Sequence, residues 1–131
     1  MPNKKVVFMG TPEFSVPILK AIVKSSYKVS CVYTQVSKKS KRGQKLNISP
    51  VQKCAENLKL IVRNPKNLNS AEEFEFIKEL NPDIVVVVAY GQLISKKLLD
   101  IPKKGFVNIH ASLLPKWRGA APIQRSIMNL D

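Results

Sequence analysis

The chain of 131 residues has one His, one Trp, two Cys, five Gly and only nine acidic side chains. Each scarcity removes a possibility. Two cysteines, Cys31 and Cys54, are too few for a disulfide framework, and their spacing is not that of a metal site. Both fall in apolar patterns, which predicts small buried hydrophobes in a reducing compartment. The glycines do not have the spacing of the dinucleotide fingerprint, which argues against a dehydrogenase. The longest apolar run, Ile84 to Tyr90, is far short of the ~20 residues of a membrane helix. Lys4 and Lys5 precede only Val6 to Met9, whereas a secretory core needs about seven to fifteen apolar residues. The expectation is a soluble cytoplasmic protein with no membrane partner, no targeting segment and no metal.

Positive charge is abundant: 22 Lys+Arg against nine Asp+Glu give a net charge of +13. Such a balance is the footprint of a protein that meets a polyanion, most plausibly nucleic acid, although a solubilising surface would look the same. Hydrophobic residues make up 44%, enough to exclude global disorder. The length suggests one domain, able to bury roughly two-thirds of its unfolded surface.

Short β-branched runs alternate with helical patterns. Val6 to Met9 closes on Gly10 and reads as a buried strand. Ile18, Leu19, Ile22 and Val23 then share a helix face, with Lys20 and Lys24 opposite. Pro17 cannot lie deep in that helix, so it begins at Ser15 as N-cap. Val29 to Thr34 is a second strand. Ser49-Pro50-Val51-Gln52 reads as a capping box opening a helix through Leu58. Ser70 to Glu73 repeats the signal for a helix ended by Asn81-Pro82. Ile84 to Ala89 and Phe106 to Ile109 are further strands, a short helix lies near Lys96 to Leu99, and Pro122 opens a last helix. This alternation predicts an α/β fold, a Rossmann-like open parallel sheet with helices on both faces.

Ligands of such sheets bind beyond the carboxyl ends of the strands. Three segments fall there. In GTPEF, Gly10 permits a tight turn, and a purely structural role is the better reading. Tyr90-Gly91 could offer backbone groups to a flat heterocycle or form an ordinary turn. Asn108 and His110 lie two apart on a strand and so face one side. An amide and an imidazole there suit an oxyanion forming at a carbonyl carbon, and a structural histidine is the competing reading. Ser112 to Pro115 then leaves the strand as a rigid apolar loop, followed by Lys116, Trp117 and Arg118. Residues 37 to 47 place Lys38, Lys39, Lys41, Arg42 and Lys45 around Gly43, with no acid between Glu13 and Glu56. This fits a phosphate-binding loop, and a solvated charge run is the alternative.

Taken in order, GTPEF, RGQKL before SPV, VVVAYG and N-x-H-x-SLLPKWRGAAPIQRS resemble the amino-terminal half of the methionyl-tRNA formyltransferase family. The resemblance covers nearly the whole chain. It implies transfer of a formyl group from 10-formyltetrahydrofolate to the methionine amino group of initiator methionyl-tRNA, without a metal. Asn108 and His110 match two of the family's three catalytic residues. Ser112, Leu113, Leu114 and Pro115 match its folate loop, and Tyr90, Gly91, Gln92 and Leu93 fall where it holds the pterin. Lys38, Lys39, Lys41, Arg42 and Lys45 match the loop that approaches the tRNA acceptor end. The third catalytic residue is an Asp in a later segment, which Asp131 does not match. The carboxyl-terminal β-barrel has no counterpart either. The resemblance therefore implies that residues 1–131 form a partial, truncated formyltransferase amino-terminal domain that is inactive alone, from a family that is monomeric at full length. A formyltransferase for another small amine and a non-catalytic RNA-binding module are the alternatives.

Overall fold

The computed structural model describes residues 4–36, 48–109 and the backbone of 125–127. Its sheet begins with β1 (Lys5–Gly10). Helix α1 (Val16–Lys24) follows, then β2 (Lys28–Tyr33), α2 (Pro50–Asn57) and β3 (Val62–Arg63). The chain continues through α3 (Ala71–Leu80), β4 (Ile84–Val88), α4 (Lys96–Leu99), β5 (Phe106–Ile109) and β6 (Arg125–Ile127). Strand order is β3-β2-β1-β4-β5-β6. The first five are parallel and β6 runs antiparallel to β5.

The period of two along each strand divides the core between the two faces of the sheet. Val6 and Phe8 pack with Leu19 of α1 and Val51 and Ala55 of α2. Val7 and Met9 face the other way, toward Ile77 of α3 and Leu98 of α4. A strand covered on both sides must be apolar at every position, which is why β1 and β4 read as unbroken hydrophobic runs. Cys31 and Cys54 are both buried, as their apolar neighbours predict.

The helix signals hold with instructive departures. Ser49 caps α2, its Oγ accepting from the Gln52 backbone at 2.9 Å. Gln52 does not complete the box: its side chain donates to Glu56, and the helix ends at Asn57 with Leu58 as C-cap. Ser70 caps α3 in the same way, and Asn81 ends it in the left-handed conformation that asparagine tolerates (φ 52°). Ser15 does precede α1, but a short 3₁₀ turn over Glu13–Ser15 leads into the helix. Ser15 therefore already has helical dihedrals and caps nothing.

Two elements differ from the sequence reading. β3 is only two residues long, too short to produce a periodic signal. Where Pro122 predicts a helix, the backbone of Arg125–Ile127 forms β6, pairing Ile109 with Arg125 and Val107 with Ile127. The outer edge of β5 presents unpaired backbone groups, and an antiparallel strand satisfies them. Among the described residues no helix is long and apolar enough to cross a membrane.

Candidate functional site at the carboxyl edge of the sheet

Residues after β4 turn through two positive-φ positions. Ala89 has φ 55° and Gly91 has φ 109°. A non-glycine residue in the left-handed region costs about 1 kcal/mol or more and persists only where its surroundings hold it. Two hydroxyls hold it here. Ser15 Oγ donates to the Val88 carbonyl at 2.8 Å, and Thr11 Oγ1 donates to the Tyr90 carbonyl at 2.8 Å. The carbonyls on either side of Ala89 are thus pinned from the segment after β1. Gly10 lets that segment come close, since a Cβ there would lie 3.0 Å from the Val88 carbonyl oxygen. The strand accordingly stops at Val88, one residue before the sequence pattern suggests.

Tyr90 is buried beneath the turn, while Leu93 is 88% exposed beyond it. Burial, aided by the nearby Glu73 charge, pushes the Tyr90 hydroxyl above its ordinary range, so it stays neutral. Gln92 stitches the turn to its neighbours. Its Nε2 donates to Gln35 Oε1 at 3.0 Å and to the Pro65 carbonyl at 3.2 Å, and its Oε1 accepts from the Leu68 backbone at 2.8 Å. Asn69 Nδ2 donates to the Leu93 carbonyl, and Asn69 Oδ1 accepts from the Ser95 backbone.

Asn108 lies on β5 opposite Val87, half-buried, on the sheet face that carries Phe106. The fold therefore brings Asn108 and the 90–93 turn to the ends of adjacent strands, as the topology predicts. His110, Ser112 to Pro115 and the cations Lys38, Lys39, Lys41, Arg42 and Lys45 lie outside the described residues. Among the described residues no three His, Cys, Asp or Glu side chains cluster closely enough to hold a metal. The sequence reading gave Ser15 a capping role and assigned none to Thr11 or Gln35. For the first two the signal was present: hydroxyls in and just after GTPEF, beyond a strand that ends in glycine.

A parallel sheet wound in both directions, with pinned turns at its carboxyl edge, defines an α/β domain of the kind that binds ligands at the strand ends. The chain belongs to the formyl transferase family, whose model matches residues 4–131. It is 60% identical over 130 residues to the methionyl-tRNA formyltransferase of Pelagibacter ubique, covering 98% of this chain and 42% of that protein. Its identity with the methionyl-tRNA formyltransferase of Jannaschia sp. is 52% over 127 residues, 97% of this chain and 42% of the relative. The fold is similar to that of phosphoribosylglycinamide formyltransferase from Anaplasma phagocytophilum, with a TM-score of 0.60 at 19% identity over 91% of this chain and 55% of that one. The chain thus spans about two-fifths of the length of these curated relatives.

Proposed function

We propose that this chain supplies the formyl-donor side and two catalytic groups of an enzyme that formylates the methionine amino group of initiator methionyl-tRNA, with 10-formyltetrahydrofolate as donor. The observation that carries this reading is the juxtaposition of the pinned 90–93 turn with Asn108 at adjacent strand ends, in a chain 60% identical to a methionyl-tRNA formyltransferase. The donor's flat heterocycle lies along the backbone of Tyr90, Gly91, Gln92 and Leu93, with exposed Leu93 as an apolar platform. Ser112, Leu113, Leu114 and Pro115 are assigned to the same donor. The Gln92 amide is engaged inside the protein, so its part in binding is to hold the turn.

As the amine attacks the formyl carbon, the carbonyl electron pair moves to oxygen. Asn108 and protonated His110 donate hydrogen bonds to that oxygen, where they act most strongly because charge appears only during the reaction. The pair returns as the carbon–nitrogen bond to the folate breaks, the folate nitrogen takes up a proton and the amine loses one. Lys38, Lys39, Lys41, Arg42 and Lys45 hold phosphates of the tRNA acceptor end. The reading carries with it a cytoplasmic protein, monomeric at its relatives' full length.

The test uses a protein that continues this chain through the length of its relatives. Single-turnover transfer to methionyl-tRNA is compared with transfer to small amines. His110→Ala should lower transfer by ~10²–10³, the usual cost of one oxyanion donor, with tRNA affinity unchanged. Asn108→Ala should act in the same direction, and the double variant should lose less than the product of the two. Near-normal turnover of His110→Ala removes it from the mechanism, and preference for a small amine removes the tRNA.

A further inference from the structure

Gln35 follows β2 and stands two residues before the basic segment that begins at Ser37. Three contacts tie it to the turn after β4. Its backbone N–H donates to Thr11 Oγ1 at 3.2 Å, the same oxygen that donates to the Tyr90 carbonyl. Its Oε1 accepts from Gln92 Nε2 at 3.0 Å. Its side chain also lies against Gly91: a Cβ there would come within 2.8 Å of Gln35 Nε2. Two hydrogen-bonded routes and one packing contact thus join Gln35 to Tyr90, Gly91 and Gln92, the last of them 57 positions away.

We propose that Gln35 is a positioning residue that sets where the turn at 90–93 sits relative to the chain leaving β2. Its consequence for catalysis rests on the function proposed above. The turn would hold the formyl donor, and the chain beyond Gln35 carries the cations assigned to tRNA. A side chain that fixes this turn sets how the formyl carbon is presented to the amine, and a misplacement of about 1 Å can cost up to ~10²-fold in rate. Neither carboxamide reaches the reacting atoms in this scheme. Gln35 acts through Gln92 and Gly91.

The test compares Gln35→Ala with Gln35→Glu. Glutamate has the same length and keeps the acceptor for Gln92, whereas alanine removes both the bond and the packing. In the protein at its relatives' full length, Gln35→Ala should lower single-turnover transfer to methionyl-tRNA about tenfold, with a change in Tm of no more than about 3 °C. Gln35→Glu should restore transfer to within about twofold of the unsubstituted protein. A second readout does not depend on activity. The Gln92 side-chain amide protons should lose protection from solvent exchange and the Gly91 backbone resonance should shift in Gln35→Ala, whereas the Gln92 protection should be kept in Gln35→Glu. Transfer unaltered in Gln35→Ala, or lost equally in both variants, overturns the catalytic role. Unchanged Gln92 protection and an unshifted Gly91 resonance in Gln35→Ala overturn the positioning itself. If the unsubstituted protein transfers nothing to methionyl-tRNA, the proposed function has failed, and the protection and the resonance still decide whether Gln35 holds the turn.

Discussion

Glu73 shows how much one side chain can connect. It is 5% exposed, yet it carries a charge. Its Oε1 accepts from the Tyr33 hydroxyl at 2.6 Å, and its two oxygens accept from Arg63 Nε at 2.8 Å and Nη2 at 2.9 Å. The guanidinium in turn lies 4.0 Å from the Phe76 ring centroid. Burial alone would raise the carboxyl pKa, but the hydrogen bonds from Arg63 and Tyr33 outweigh it and leave it lowered. A carboxyl lowered in the folded state stabilises the fold above its unfolded pKa, and that contribution disappears as pH falls through the folded value. Breaking a fully buried pair costs ~3–5 kcal/mol. Arg63 is 27% exposed, so Glu73→Gln should cost about 2–3 kcal/mol at neutral pH. Denaturant unfolding of both proteins should show this gap closing below about pH 4. An equal gap at every pH would mean that the charge contributes nothing. Cys31, beside this network, is inert for a related reason: burial pushes its thiol up to about 12, so few thiolates form at neutral pH.

Most strands and helices were readable from their periodicity, whereas β3, β6 and the contacts that hold the 89–93 turn were not. The Ile84–Val88 run announces a buried strand, but nothing local says that Ala89 must turn left-handed. That is imposed by Thr11 and Ser15, which reach across from the end of β1 to the carbonyls on either side. Gly91 shows the same dependence, because its missing Cβ makes room for Gln35. The basic segment at 37 to 47 is the reverse case, since its charge is plain from composition alone. Replacing Lys41 and Arg42 with Ala should weaken tRNA binding and lower the slope of log affinity against log salt by roughly one to two, if both touch phosphates. An unchanged slope would identify the segment as a solvated charge run.

At the scale of the molecule, the catalytic set is predicted to be shared between this chain and what its relatives carry beyond it. A carboxylate near His110 would favour the charged, donating imidazole. Asp83 and Asp100 do not supply it. Asp83 precedes β4 and accepts from the Lys5 backbone at 2.7 Å, at the opposite end of the sheet, and Asp100 follows α4 beside Lys96. The 131-residue chain alone should therefore transfer formyl groups at least ~10²-fold more slowly than a chain continued through the relatives' length, if the carboxylate matters as much as one oxyanion donor. Single-turnover transfer from 10-formyltetrahydrofolate measures the ratio, and comparable rates would show that these residues suffice.

Much was determined by the sequence itself. Apolar runs of four to five residues separated by capped amphipathic segments can bury both faces only as a parallel sheet between helices, and that topology sends Tyr90 and Asn108 to one edge. Paired with the spacing of Asn108 and His110, it points to the site proposed here. The tertiary structure alone decided how that edge is held: the half-used capping box at Gln52, the two-residue β3, the antiparallel β6, the pinned Ala89 and the Gln35–Gln92 junction. Periodicity and capping arise from neighbours a few positions apart, so they are written locally. A hydroxyl that reaches a carbonyl more than seventy residues away depends on how the strands pair, and only the assembled sheet supplies that distance.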